Sequence, residues 1–287
     1  MRQMKAMSRV PQAVRNPPPI ALLAGRGTLP VLLIETFQSQ KRPFVVLAFT
    51  GQTDSSLVET CPHVWVGFGE IGKAHAYLKE NKIQEIVMAG AMTRPKMSEI
   101  RPDWEGMKWM AKIVAQSIGD DNLLRAVIGM VEANGYRVVA PDDLLDGLLT
   151  IEGTLTACVP DDQAWRDIHQ GVKILETLSE LDIGQAVIVQ DGCVLGIEAV
   201  EGTDGLIRRT CPGGILVKMA KKQQERRVDL PTIGPETVKA GIASGLRGIA
   251  VEAGKSLLLN REETVRLANE NGLFIVGVGQ ISCQKNP

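Results

Sequence analysis

Aromatic residues are scarce. Phenylalanine, tryptophan and tyrosine together make up 4% of the 287 residues. A stacking platform for single-stranded nucleic acid needs several rings on one face, so that class of function is disfavoured. Charge of one sign is missing too: Lys and Arg number 32, Asp and Glu 33, and the formal net charge is −1. Nothing in that balance draws the chain to nucleic acid. There are three histidines (His63, His75, His169), and the five cysteines (Cys61, Cys158, Cys193, Cys211, Cys283) are scattered without a C-x-x-C pair. A zinc site of the common His/Cys type is therefore disfavoured, and the thiols read as the reduced thiols of a cytoplasmic protein. No apolar run reaches the roughly 20 residues that span a bilayer. What is present is ordinary for a globular protein, 44% hydrophobic and 23% charged, in a chain long enough for two cores.

Residues 1–19 stand apart. They carry Arg2, Lys5, Arg9 and Arg15, no acid and no secretory apolar stretch, and end in Pro17-Pro18-Pro19. A disordered basic arm is expected there. From Ile20 the pattern alternates. Apolar runs at Ile20–Ala24, Phe44–Phe49, Val64–Val66, Glu85–Ala89 and Tyr136–Ala140 predict strands, and helices are predicted after Gly27 and over 71–81, 107–116 and 122–134. Such alternation implies a parallel sheet with crossovers, and so an α/β domain over residues 20–150. Pro141–Gly153 reads as the crossing to a second, mixed α/β domain over 151–287. That half begins with an amphipathic helix (Trp165, Ile168, Val172, Leu175, Leu178), then a hairpin around Asp191-Gly192, then alternating elements up to a strand ending at Val278.

Three glycine-containing turns follow predicted strands: Gly25-Arg26-Gly27-Thr28, Gly67 to Lys73 (with Gly69), and Gly90-Ala91 up to Arg94. At the carboxyl edge of a parallel sheet, turns of this kind let backbone N–H groups approach a phosphate. They serve equally as tight turns that need small residues. A dinucleotide fingerprint is not met, because Pro30 stands where the third small residue belongs and Phe49-Thr50-Gly51 offers no acid for a ribose. That weakens an NAD oxidoreductase and leaves a mononucleotide or sugar-nucleotide site. Asp120 and Asp121 begin a helix, one as its N-cap and the other as a candidate ligand. Trp104, Met107, Trp109 and Met110, flanked by Lys108 and Lys112, read as core packing or as a grip on acyl chains or a membrane surface.

In the second half, Glu198, Glu201 and Asp204 precede Arg208-Arg209, and Lys218, Lys221, Lys222, Arg226 and Arg227 lead to Asp229. Carboxylates beside clustered cations suit a divalent ion held against a phosphate, Mg²⁺ or Mn²⁺ given the hard oxygen donors. The same residues also read as an exposed charged loop.

Taken together, these motifs resemble the UDP-2,3-diacylglucosamine pyrophosphatases of the LpxI type, from the lipid A pathway. The resemblance runs through Gly25-x-Gly27-x-Leu29-Pro30, Gly69-Glu70-x-Gly72-Lys73, Ala89-Gly90 with Arg94-Pro95, Gly119-Asp120-Asp121-x-Leu123-Leu124-Arg125 and Leu181-Asp182-Ile183-Gly184-Gln185. It continues through Glu201-Gly202-Thr203-Asp204, Arg208-Arg209, Lys218, Arg227 to Gly234 and Glu252-Ala253-Gly254. It implies an N-terminal Rossmann-like nucleotide domain, a C-terminal catalytic domain, a homodimer, and metal-dependent hydrolysis of an acylated sugar nucleotide to UMP and 2,3-diacylglucosamine 1-phosphate. The protein would be cytoplasmic, touching the inner membrane surface peripherally. Asp229, Asp204 and Lys218 are the expected catalytic residues, and Asp229, Asp204, Glu201 and Glu198 the expected metal ligands. Gly25, Gly27, Thr28, Gly69, Lys73, Gly90, Ala91, Arg94, Gln185, Arg208, Arg209 and Arg227 are the expected substrate contacts. Two other readings use the same residues: a nucleotide-binding regulatory module without catalysis, and a sugar-nucleotide transferase that would leave UDP.

Overall fold

The structure is a computed structural model that describes residues 17–93, 95, 100–116, 120–222 and 224–279. The first half runs β1 (Ile20–Ala24), α1 (Thr28–Ser39), β2 (Phe44–Phe49), the single turn α2 (Ser55–Val58), β3 (His63–Val66), α3 (Ile71–Glu80), β4 (Glu85–Ala89), α4 (Trp104–Gln116), α5 (Asp120–Ala133) and β5 (Arg137–Val139). Among the described residues these strands form one parallel sheet in the order β3-β2-β1-β4-β5. The strands are apolar on both faces because helices cover both. Ile20, Leu22 and Ala24 meet Leu33 and Phe37 of α1, while Ala21, Val45 and Ile86 meet Leu78 of α3 and Ile128 of α5. The order reverses between β1 and β4, which opens a crevice at their carboxyl ends.

The second half runs β6 (Gly153–Thr154), α6 (Asp162–Leu178), β7 (Ala186–Gln190), β8 (Cys193–Ile197), α7 (Gly202–Arg209), β9 (Ile215–Lys218), β10 (Thr232–Ile233), α8 (Pro235–Ala243), β11 (Gly248–Glu252), β12 (Leu257–Leu258), α9 (Arg261–Glu270) and β13 (Phe274–Val278). Its main sheet is mixed, in the order β6-β13-β11-β9-β7-β8, with β9, β11 and β13 parallel and the outer pairings antiparallel. Helix α6 begins where Asp161 accepts from the Ala164 N–H at 2.7 Å, an N-cap. It lays Ile168, Val172 and Leu175 on one face of the sheet, and α7, α8 and α9 cover the other with Leu206, Val238 and Ala268. Each fully buried aliphatic side chain contributes about 1.5–3 kcal/mol.

The mixed α/β architecture and the parallel N-terminal sheet agree with the sequence reading. Three details differ. Pro17–Pro19, assigned to the basic arm, belong to the fold: the Pro18 carbonyl accepts from Arg42 Nη2 at 2.9 Å, and that of Pro19 accepts from the Gln84 N–H at 3.2 Å. The rest of that arm lies outside the described residues. The short strand β10 pairs with β12. The charged patch around Asp204 is not a loop but helix α7, whose two glycines (Gly202 and Gly205) hide it from propensity reasoning. It forms because Leu206 and Ile207 are completely buried.

The crossing after Pro141 packs down, with Leu148 buried and Leu144, Leu145 and Leu149 half-buried. Leu230, Leu257 and Leu259 of the second half join Leu29, Leu33, Ala89 and Val139 of the first in one apolar cluster. The two halves therefore meet through a seam beside the crevice between β1 and β4.

Candidate active site

Two glycine turns build the N-terminal wall. The exits of β1 and β4 cross, with the Gly25 N–H donating to the Ala89 carbonyl (2.8 Å) and Arg26 and Ala91 exchanging backbone bonds (2.9 Å each). A Cβ on Gly25 would stand 2.6 Å from the Ala91 oxygen, so the crossing requires glycine. Gly27, at φ +100, then turns the chain into α1, whose first residue is Thr28. Gly25, Gly27, Thr28, Gly90 and Ala91 are thus brought together as the sequence suggested.

The turn at Gly69 to Lys73 is built differently. The Asp103 carboxylate accepts from the N–H groups of Gly72 (2.7 Å), Lys73 (3.3 Å) and Gly106 (2.8 Å), so the amides free to cradle a phosphate are already engaged. Gly69 packs against Pro102, where a Cβ would meet the Pro102 Cα at 2.9 Å. Lys73 pairs with Glu70 at 3.6 Å. Arg94, Gly119 and the side chains of Asp120 and Asp121 lie outside the described residues.

Lys218 centres the C-terminal wall. Its side chain is buried at the end of β9, and Nζ donates to Thr203 Oγ1 (2.9 Å) and to the Thr232 carbonyl (3.2 Å). Glu198, also buried, accepts from the Thr203 hydroxyl (2.7 Å) and from the Gln185 N–H (2.9 Å). Burial pushes the Lys218 ammonium below the ordinary lysine value, against the pull of Glu198, Asp204 and Asp229. Asp229 responds in the opposite sense. Burial raises its carboxyl above the usual range, while a bond from Gln224 and the charges of Lys221 and Lys218 resist. Gln224 also donates to Gln185 Oε1 at 3.2 Å, which links the Asp229 loop to Gln185. Asp229, Asp204, Glu198, Lys218 and Gln185 are therefore drawn together. Glu201 is not part of this cluster: it is exposed and held by Arg209 at 2.8 Å.

The arginines separate by partner. Arg227 directs Nε and Nη2 to Glu225 (2.9 and 3.1 Å) and Nη1 to Glu132 of α5 (2.5 Å), and the Glu225 bond drives its pKa upward. It ties the Asp229 loop to the first half of the chain. Arg209 donates to Glu201 and to the Ile197 carbonyl (2.6 Å), and Arg208 is exposed. Among the described residues no group of three or more His, Cys, Asp or Glu stands ready as a metal cage.

The two walls enclose a cleft of about 200 Å³. Arg26, Gly27, Thr28 and Gly90 line it from the first half, and Arg226, Val228 and Thr232 from the second, over a floor that includes Leu230, Leu257 and Leu259. Thr232 joins the cleft to the acidic cluster, because its carbonyl accepts from Lys218. A larger hollow of about 540 Å³, lined by Glu85, Glu132 and Arg137, lies where β4 and β5 begin, the edge at which open parallel sheets do not carry ligands. On α4, Trp104 and Met107 are exposed, with Lys108 Nζ 5.2 Å from the Trp104 ring centre, whereas Trp109 is half-buried against the core.

Residues 19–148 match the LpxI N-terminal domain and residues 151–276 the LpxI C-terminal domain. The chain belongs to the LpxI family. A relative in this family, the UDP-2,3-diacylglucosamine pyrophosphatase LpxI of Caulobacter vibrioides, is 35% identical over 272 residues, which cover 90% of this chain and 97% of the relative. Among the described residues no helix is long and apolar enough to cross a membrane.

Within this LpxI fold, several residues at the site escaped the sequence reading. Thr203 and Thr232 stand within the family motifs but were given no role, because a hydroxyl or a carbonyl beside a buried lysine has no local sequence signal. Asp103 caps a helix 30 residues away in the chain, which local reasoning cannot see. Arg26 was also passed over, although a cation between two strand-exit glycines is a signal that could have placed it near the crevice.

Proposed function

We propose that this protein hydrolyses the pyrophosphate of UDP-2,3-diacylglucosamine, releasing UMP and 2,3-diacylglucosamine 1-phosphate, a step of lipid A synthesis. The observation that carries this reading is the cleft between the halves, where the turn at Arg26–Thr28 faces Arg226, Val228 and Leu230 of the loop bearing Asp229, in a chain related over 90% of its length to a pyrophosphatase of that name. The cleft is smaller than the roughly 300–1,000 Å³ of pockets that enclose a whole ligand. It therefore takes only part of such a substrate; we assign it the diphosphate, because Arg26 and Arg226 line it, and the acylated sugar extends beyond.

Asp229 is the residue we assign to orienting the attacking water, with its carboxylate presented by a loop that Leu230-Pro231 stiffens. Asp204 adds negative charge near it. Lys218 is too buried to reach substrate in this state and holds Glu198, Asp204 and Asp229 together against their mutual repulsion. Thr203 fixes the Lys218 ammonium to Glu198 through its hydroxyl. The donor set suits Mg²⁺ or Mn²⁺: hard carboxylate oxygens from Asp229 and Asp204 are enough, since Mg²⁺ commonly takes one or two carboxylates and completes its shell with phosphate oxygens and water. When bound, such an ion supplies charge neutralisation at the diphosphate and a more acidic water.

A cytoplasmic homodimer that meets the inner membrane surface completes the proposal, with Trp104, Met107 and Lys108 as the contact to the bilayer in which an acylated substrate resides. Incubation with UDP-2,3-diacylglucosamine and Mg²⁺ tests the reaction. UMP is the expected nucleotide product. UDP instead identifies a transferase, and recovery of intact substrate identifies a binding module. Sedimentation reports the dimer, and flotation with anionic vesicles reports the membrane contact.

A further inference from the structure

We infer that Arg26 and Arg226 form a two-sided clamp on the diphosphate of the nucleotide, one guanidinium from each half of the chain. The inference rests on the reading of the cleft as a nucleotide diphosphate site. Both side chains line that cleft from opposite walls, Arg26 between the glycines of the β1 exit and Arg226 in the loop that leads to Asp229.

Their bonding separates them from the other arginines nearby. Arg227 has Nε, Nη1 and Nη2 bound to carboxylates. Arg209 has Nε and Nη2 bound to Glu201. Arg26 is exposed and gives Nη2 to Thr93 Oγ1 at 2.6 Å, and among the described residues no carboxylate pairs with it. Arg226 uses Nη2 alone, towards the Gly254 carbonyl (3.2 Å) and Asp142 Oδ2 (3.6 Å). Each guanidinium is thus steadied at one nitrogen, and among the described residues nothing binds its Nε or Nη1. A diphosphate carries negative charge on both phosphates and accepts forked N–H pairs, the geometry arginine provides and lysine does not.

Binding of UDP and of uridine to the full-length protein tests this, measured by calorimetry with folding checked by circular dichroism. Arg26→Ala and Arg226→Ala are each expected to weaken UDP at least about tenfold, the loss of one charge-assisted contact, and to leave uridine binding unchanged. Arg26→Lys and Arg226→Lys, which keep the charge but lose the fork, are expected to fall between. Asp142→Asn removes the ion pair on Arg226, leaving the Gly254 carbonyl and the guanidinium untouched, and its UDP affinity is expected to stay at or above wild type. UDP affinity unchanged in either alanine variant overturns the two-sided clamp, as does a wild type that binds UDP no better than uridine. So does Asp142→Asn weakening UDP as much as Arg226→Ala, because Arg226 would then be only a tie between the halves. Hydrolysis of UDP-2,3-diacylglucosamine by the wild type is scored separately. If it fails while the UDP results hold, the proposed reaction is wrong and the clamp stands.

Discussion

Replacing Lys218 with methionine removes a buried cation while keeping the length and bulk of the side chain. Glu198 is left buried with its charge, and the Thr232 carbonyl loses its donor. Breaking a buried charge set by deleting one partner costs about 3–5 kcal/mol. Glu198 retains the Thr203 hydroxyl and the Gln185 N–H, which places the cost at the lower end, about 3 kcal/mol. For a chain of this size that corresponds to a fall of about 6–12 °C in melting temperature. Pairing the change with Glu198→Gln removes the stranded charge, so the double variant should recover much of the loss. The pH dependence gives a second signature. Burial lowers the Lys218 pKa, so between that lowered value and the ordinary lysine value the unfolded chain holds a proton that the native state has released. Wild-type stability should therefore rise with pH across that window, and the methionine variant should lack the rise. Calorimetry of the three proteins at neutral and alkaline pH supplies all of these numbers. A Lys218→Met protein that melts with the wild type, or a double variant less stable than the single, would refute the buried network.

Three further outcomes follow from other contacts. Asp229 has a raised carboxyl pKa, so its folded-state penalty is absent below the ordinary carboxylate value and present once pH exceeds the raised one. Asp229→Asn should thus be more stable than wild type at neutral pH and equal to it in acid, as denaturant titrations at the two pH values will show. Glu85 is buried between Arg42 and Arg137, and Glu85→Gln leaves Arg42 buried and uncompensated, so urea unfolding should report a loss of about 3–5 kcal/mol. Gly25→Ala drives a Cβ into the Ala91 carbonyl, and turnover should fall more than tenfold as the crossing of the β1 and β4 exits is forced apart; normal turnover with an intact fold would mean that the crossing does not shape the site.

Much of the fold could be read from local pattern. The buried strands β1, β2 and β4 are apolar runs closed by glycine or a turn, and α6 announces itself by helical spacing from Trp165 to Leu178. Helix α7 could not be read so, because its stability comes from Leu206 and Ile207 docking on the sheet rather than from helix-forming residues. Site residues divide the same way. Gly25, Gly27 and Gly90 have a backbone reason visible in the sequence, and Asp229 stands out as the acid between a basic run and Leu-Pro. The partners of the charges have no such signal. Only the folded chain shows that Arg227 turns to Glu132, 95 residues away, or that Glu201 turns to Arg209 rather than joining Asp204 and Asp229.

The most direct test is release of UMP from UDP-2,3-diacylglucosamine with Mg²⁺ by the wild type and by Asp229→Asn, with UDP binding measured on both. Expected are UMP from the wild type, a rate lower by roughly a thousandfold or more in the variant, as for loss of a group that acts on the reacting water, and similar UDP affinity in both. An Asp229→Asn protein that releases UMP at the wild-type rate would contradict the role given to Asp229.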